Sequence, residues 1–123
     1  MGEMNKIHCH NCGKNWECRS GCGIMHSRLE KIAGLFETDI SQRFMVYASE
    51  KPPVIFSFSF MMARCDECKE ILDVPFLEIK GTQYIGKCPR CAQNVKVIKE
   101  IEKANCPKCN CIGLEQHVIG NWD

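Results

Sequence analysis

Cys65-Asp66-Glu67-Cys68 and Cys88-Pro89-Arg90-Cys91, separated by residues 69–87, decide the reading of this chain. A Cys-x-x-Cys step folds as a tight turn that points both sulfurs at one centre. Two such turns complete the four-thiolate tetrahedron that a structural zinc ion prefers, at the spacing of a zinc ribbon. The intervening residues suit that role. Ile71 to Val74 and Phe76 to Ile79 read as short strand pieces around Pro75, Gly81 supplies a turn, and Tyr84-Ile85-Gly86-Lys87 leads back to the second pair.

Working outward, the pattern recurs. Cys9-His10-Asn11-Cys12-Gly13 and Cys106-Pro107-Lys108-Cys109 bring the set to four knuckles, and Cys18, Cys22 and Cys111 complete the eleven cysteines. A chain of 123 residues forms one small domain that buries roughly two thirds of its unfolded surface and gains from a cross-link or metal. The amino terminus carries no charged leader with an apolar core, and no apolar run reaches membrane-spanning length. The expectation is a cytoplasmic protein without a membrane segment, whose Cys-x-x-Cys pairs are metal ligands rather than disulfides. Sixteen basic against fifteen acidic side chains give a net charge of +1, which removes the broad attraction that drives nonspecific nucleic-acid binding. Between residues 86 and 110, however, Lys87, Arg90, Lys96, Lys99, Lys103 and Lys108 outnumber Glu100 and Glu102.

Local patterns place the elements. Lys14-Asn15-Trp16-Glu17 continues the first knuckle as a strand, with Trp16 packed on the metal-bound turns, and Cys18-Arg19-Ser20-Gly21-Cys22-Gly23 reads as a glycine-rich loop. That loop lacks the Gly-Lys-Ser/Thr ending of a phosphate cradle. Ser27-x-x-Glu30 is a capping box before Leu29, Ile32, Ala33, Phe36, Ile40 and Phe44, which recur at helical spacing. Gly34 marks either a close packing contact or a break, with a second turn or helix near Thr38 to Ala48. Lys51-Pro52-Pro53 closes this region. From Val54 to Phe60 the period-two alternation of Val54, Phe56, Phe58 and Phe60 against Ser57 and Ser59 predicts a half-buried strand. Asn94 to Ile98 should form another strand, and Ile112 to Trp122 a last one with Trp122 turned inward.

The expected fold class is a small metal-bound α+β domain over 1–123, built of zinc-ribbon β-hairpins with one helical insertion. Residues 1–25 with 104–123 form a terminal ribbon, 26–50 the insertion and 54–100 a central ribbon. The expected metal ligands are Cys9, Cys12, Cys65, Cys68, Cys88, Cys91, Cys106 and Cys109, holding two zinc ions. A nested pairing joins Cys65/Cys68 to Cys88/Cys91 and Cys9/Cys12 to Cys106/Cys109. A serial pairing of consecutive knuckles and a cross-braced one remain open, as does a three-ion scheme using Cys9, Cys12, Cys18 and Cys22 locally and Cys106, Cys109 and Cys111 with His117. Otherwise the extra thiols are small core residues, and His8, His10 and His26 are polar flanks or surface positions.

The layout resembles a group of small bacterial zinc-ribbon proteins of unassigned function. The shared features are Cys9-x-x-Cys12-Gly13 with Trp16, Gly21-x-Gly23-Ile24-Met25, a helix, further knuckles and a terminal Trp122-Asp123. The resemblance implies a metal-bound β-rich scaffold with a helical insertion, transfers no catalytic residue, and does not require cysteine at positions 18 and 22. The knuckles Cys9-x-x-Cys12-Gly13 and Cys88-Pro89-x-Cys91 also look like those of rubredoxin, which would put iron and one-electron transfer in place of zinc.

Three function classes follow. The first is a non-catalytic zinc-stabilised module that binds a protein partner. The second is a nucleic-acid-binding ribbon using Lys87, Arg90, Lys96, Lys99 and Lys108. The third is a redox role, through iron or through Cys18 or Cys22. Complete four-cysteine sets make closed sites, and no His-Glu-x-x-His or comparable catalytic motif occurs, so the expectation is that the chain is not an enzyme.

Overall fold

In a computed structural model, which describes residues 2–23 and 28–122, the chain is a mostly β structure of two antiparallel sheets with two short helices. Ile24, Met25, His26, the Ser27 of the expected capping box and Asp123 lie outside the described residues.

The first sheet contains β1 (Gly2–Cys9), β2 (Asn15–Ser20) and β7 (Leu114–Trp122), in the order β2-β1-β7. Strands β1 and β2 flank the first knuckle as a hairpin, with His8 opposite Asn15 and Ile7 opposite Trp16. Strand β7 returns from the far end of the sequence to pair with β1, Cys9 opposite Leu114 and Gly2 opposite Trp122. Its register shifts between Met4 and Asn5, leaving Ile119 as the extra residue of a bulge. Asn5 beside the bulge is fully buried, and its amide is satisfied: Nδ2 donates to Ser20 Oγ (2.9 Å) and the Cys18 carbonyl (3.3 Å), and Oδ1 accepts from Gln116 Nε2 (2.8 Å).

The second sheet contains β3 (Phe56–Cys65), β4 (Glu70–Ile79), β5 (Thr82–Ile85) and β6 (Lys96–Val97), in the order β5-β4-β3-β6. The two strand pieces expected around Pro75 are one strand. Gly86 N donates to the Pro75 carbonyl (2.8 Å), and the nitrogen and oxygen of a strand residue point to the same side. The missing donor of Pro75 therefore faces away from β3, beyond the end of the β5 ladder, and costs no interstrand bond. Lys80 and Gly81, both at positive φ, make the two-residue turn from β4 to β5. The strand expected over Asn94 to Ile98 shrinks to Lys96–Val97, with Ile98 N bonded to the Met62 carbonyl (2.8 Å). The strand expected from Val54 begins at Phe56 and runs on to Cys65.

Helices α1 (Leu29–Ala33) and α2 (Thr38–Ala48) flank Gly34, as the break in the pattern requires, and form a minor part of the structure. Leu29, Ile32, Ala33 and Phe44 pack on Phe58, Phe60, Leu77 and Ile79 of the second sheet. A second core of Ile7, Trp16, Cys18, Ile71, Ile98, Ile101 and Leu114 lies around Cys9 and Cys106. Trp122 packs against the first core, and its indole N–H is shared between the carbonyls of Glu3 (3.1 Å) and Ser20 (3.2 Å). Cys18 to Ser20, expected in a loop, are strand residues of β2, and only Gly21 to Gly23 leave it.

The sheets are joined by reciprocal backbone hydrogen bonds between Gly21 and Phe60 (2.8 and 3.1 Å) and by Arg19 on Asp73. Asp73 accepts from the Arg19 backbone N–H (2.7 Å) and guanidinium (3.1 Å), while the same guanidinium lies 4.0 Å over the Phe60 ring. Among the described residues no helix is long and apolar enough to cross a membrane. Replacing Asp73 with Ala leaves the Arg19 backbone donor and guanidinium unpaired at this junction. Denaturant melts of the metal-loaded protein should show a loss of about 1–3 kcal/mol.

Candidate metal centres

The turns that begin at Cys9, Cys88 and Cys106 are built the same way. Cys9 N, Cys88 N and Cys106 N donate to the carbonyls of Lys14 (3.0 Å), Gln93 (3.0 Å) and Cys111 (2.9 Å). Gly13 N, Ala92 N and Asn110 N return to the carbonyls of Cys9, Cys88 and Cys106 at 2.8–2.9 Å. The residue after the second cysteine is left-handed in all four turns: Gly13 (φ 78°), Lys69 (54°), Ala92 (59°) and Asn110 (62°). Only the first is glycine, so three turns carry the strain of a side chain in that region, about 1–2 kcal/mol for an ordinary residue. Backbone N–H groups also reach the sulfurs, with Cys68 N 3.5 Å from Cys65 Sγ and Lys108 N 3.4 Å from Cys106 Sγ.

These turns bring eight sulfurs into two groups. Cys9, Cys12, Cys106 and Cys109 form one and Cys65, Cys68, Cys88 and Cys91 the other, with all four Sγ atoms of each group within 4.8 Å of one another. The pairing is therefore nested. Neither the serial nor the cross-braced arrangement is present, because β7 closes onto β1 and carries the last knuckle to the first. Sulfur separations are 3.6 Å for Cys9–Cys109, 3.7 Å for Cys12–Cys106, 3.5 Å for Cys65–Cys91 and 3.9 Å for Cys68–Cys88. A tetrahedral ion with bonds near 2.3 Å needs sulfur edges of about 3.8 Å, whereas a disulfide needs about 2.05 Å. Both groups fit the metal and all eight cysteines are free thiols.

Within the groups the thiols differ. Cys109 is lowered to about 6 by the Asn11 side chain and the Cys111 backbone N–H, whereas burial pushes Cys106 up to about 12. Burial opposes ionisation of Cys88, yet the backbone N–H groups of Cys91 and Arg90 bring it down to about 7. Cys68 rises to about 12 through its hydrogen bond with Cys91. Binding of a metal by either group displaces its thiol protons as the bonds form.

The three remaining cysteines join neither group. Cys18 is buried in β2 with its side chain in the core, which removes the local four-cysteine set expected in the three-ion scheme. Burial, reinforced by Asp73, pushes its thiol from 9.0 to about 12. Cys22 lies at the partly buried edge of the helix-side core, its Sγ 3.5 Å from the Gly23 carbonyl. Cys111 is exposed rather than a core residue, with the Asn11 amide 3.5 Å from its sulfur. His117 is not brought into a set with Cys106 and Cys109 but lies against Glu115.

The cations expected to form one patch are dispersed. Lys87 pairs with Glu37 (2.8 Å), Arg90 and Lys108 with Glu70 (3.6 and 3.5 Å), and Lys96 with Asp66 (3.2 Å). Lys87, Arg90 and Lys96 line three different clefts, of which the one holding Lys96 and Lys99 also contains Arg64 and Lys103. Glu70, which the sequence did not single out, is a junction. It accepts from the Trp16 indole beside the first group and meets Arg90 and Lys108 from a knuckle of each. Burial opposes its ionisation, but the indole and the charges of Lys108 and Lys14 hold it below the ordinary carboxylate value.

Three outcomes follow from this geometry. Ala92→Gly relieves the left-handed strain at an exposed site and should raise stability in denaturant melts by about 0.5–1 kcal/mol, whereas Gly13→Ala should lower it by about 1 kcal/mol. In alkylation at pH 8 followed by peptide mapping, Cys111 of the metal-loaded protein should react readily and Cys18 should resist. Because the Cys18 thiol is raised in the fold, its contribution to stability is intact below about 9 and is lost as pH climbs towards about 12. No family model, curated protein or solved structure matches this chain, so its functional reading rests on these residues.

Proposed function

We propose that the chain is a non-catalytic, zinc-stabilised interaction module of the bacterial zinc-ribbon kind, working in the reducing cytoplasm and binding a protein partner. The observation that carries the reading is the composition of the two tetrads. Four thiolates per ion fill a tetrahedral zinc, leave no position for water or substrate, and make the metal a cross-link. Cys9, Cys12, Cys106 and Cys109 would hold one ion, and Cys65, Cys68, Cys88 and Cys91 the other. The metal supplies structural coordination, and the chain supplies the surface.

Support for a protein partner comes from charge and from one apolar cleft. The net charge is near zero, and most of the cations once grouped as a nucleic-acid footprint are engaged by carboxylates. A cleft of about 270 Å³ beside Cys88 is lined by Leu35, Phe36, Ile40 and Ile85, with the Glu37–Lys87 ion pair at its rim. Leu35 and Ile85 are both exposed. Apolar residues rimmed by a charge pair suit the buried centre and polar rim of a protein interface.

Native mass spectrometry of protein expressed without added metal should find two zinc ions per chain, falling to one in Cys12→Ser and in Cys91→Ser. Iron would bring the rubredoxin-like reading forward, and no metal would overturn the scaffold. Fluorescence anisotropy with single- and double-stranded oligonucleotides at low salt should show no binding. Salt-sensitive binding that weakens in Lys96→Gln and Lys99→Gln would replace the protein partner with nucleic acid.

A further inference from the structure

The order β5-β4-β3-β6 leaves β6 at an edge of the second sheet, and a cleft of about 540 Å³ runs beside it. Four cations, Arg64, Lys96, Lys99 and Lys103, line this cleft with one carboxylate, Glu100. Arg64 is held in place and only 22% exposed: Nε donates to Asp66 Oδ1 (2.8 Å) and Nη1 to the Asn105 carbonyl (3.0 Å). The three lysines are exposed. Lys96 meets Asp66 (3.2 Å) and Lys103 meets Glu100 (2.9 Å), while among the described residues Lys99 has no ion-pair partner. The backbone of the same edge is open. Ile98 N donates to the Met62 carbonyl (2.8 Å), so Met62 and Ile98 form a hydrogen-bonded pair of the antiparallel ladder. Ala63 and Val97, one step along, then form a pair without hydrogen bonds, and the N–H and C=O of Val97 point away from β3 towards the side where no strand follows.

We propose that this cleft docks an acidic segment of the protein partner, bound in extended form along β6 with its carboxylates on Lys96, Lys99 and Lys103. The inference rests on the protein-binding function proposed above and names the chemistry of the partner. A peptide main chain supplies both a donor and an acceptor, which the outward C=O and N–H of Val97 require, and its side chains supply the charge. Carboxylates at alternate positions of an extended segment fall on one face, so that several of them meet the lysines together. Exposed ion pairs are weak, so incoming carboxylates take over Lys96 and Lys103 from Asp66 and Glu100 at little cost, and Lys99 has no partner to give up. A nucleic-acid backbone fits less well. Phosphodiesters accept hydrogen bonds but offer no donor to the Val97 carbonyl, and Asp66 and Glu100 interrupt the basic line with negative charge. The cleft shares no lining residue with the apolar one beside Cys88, so the two surfaces are tested separately.

The test is fluorescence anisotropy of the metal-loaded protein with a labelled octapeptide alternating Thr and Glu, its counterpart with Gln for Glu, and an oligothymidylate of equal charge. The acidic peptide should bind at low salt and the uncharged one should not. Lys96→Glu and Lys99→Glu should each weaken binding by about 10-fold or more, because like charges then meet across the cleft. Val97→Pro removes an outward-facing donor and no bond of the ladder, and should weaken binding by about 3-fold or more. Metal content and far-ultraviolet dichroism should stay as in the parent protein. Lys99 is exposed and outside the strands, so its variant alone decides the matter if Val97→Pro disturbs β6. Absence of acidic-peptide binding, with the oligothymidylate also unbound, would overturn this site and leave the protein-binding function standing, as would peptide binding unchanged in Lys99→Glu. Tighter binding of the oligothymidylate, weakened by the same lysine substitutions, would overturn both.

Discussion

The convergence of Cys9 and Cys12 with Cys106 and Cys109 is the constraint on which the rest of the molecule depends. These sulfurs are 94 to 100 residues apart in sequence and 3.6 to 3.7 Å apart in space. A cross-link closing a loop of that length removes about 4–5 kcal/mol of chain entropy from the unfolded state by the arithmetic used for disulfides. The second tetrad, with partners 20 to 26 residues apart, removes about 3–3.5 kcal/mol. A metal bound at the first tetrad holds β7 on β1, and β7 brings Trp122 to the helix-side core and Glu115 and His117 to the sheet face. Without that closure the first sheet would be a two-stranded hairpin, which is marginal on its own in water.

The two metal groups are joined through side chains as well as through the chain. Glu70 on β4 meets Trp16, Arg90 and Lys108, and Asp73 three residues on receives Arg19. The start of β4 is therefore fastened to the terminal sheet by two carboxylates. The Gly21–Phe60 bridge adds backbone hydrogen bonds where β2 runs into the second sheet. Between these attachments lie Ile7, Cys18 and Ile71, fully or almost fully buried, which makes the contact between the sheets a core rather than a crevice.

Much of the fold was legible because metal turns and glycine breaks are local. The Cys-x-x-Cys steps named all eight clustered cysteines, Gly34 marked the division between the helices, and the alternating phenylalanines marked β3. Pro75 misled, since proline reads as an interruption and only the end of the β5 ladder makes it harmless in place. Cys18 was ambiguous for a similar reason: the glycines after it suggested a loop, whereas its pairing with Asn5 puts it inside β2. The nested pairing was the arrangement the ribbon spacing of Cys65/Cys68 with Cys88/Cys91 favoured, whereas the Glu70 junction and the contacts of His10 and His117 with Glu115 were out of reach, because each depends on strand register between distant segments. His10 and His117 have no spacing relation until β7 is placed against β1.

The account stands or falls on which cysteines share an ion. Substituting both sites with 113Cd and recording proton–cadmium correlation spectra links each ion to the β-protons of its own ligands. One cadmium resonance should couple to Cys9, Cys12, Cys106 and Cys109 and the other to Cys65, Cys68, Cys88 and Cys91. A resonance coupled to Cys9 and Cys12 together with Cys65 and Cys68 would contradict the closure of the chain ends that organises this fold.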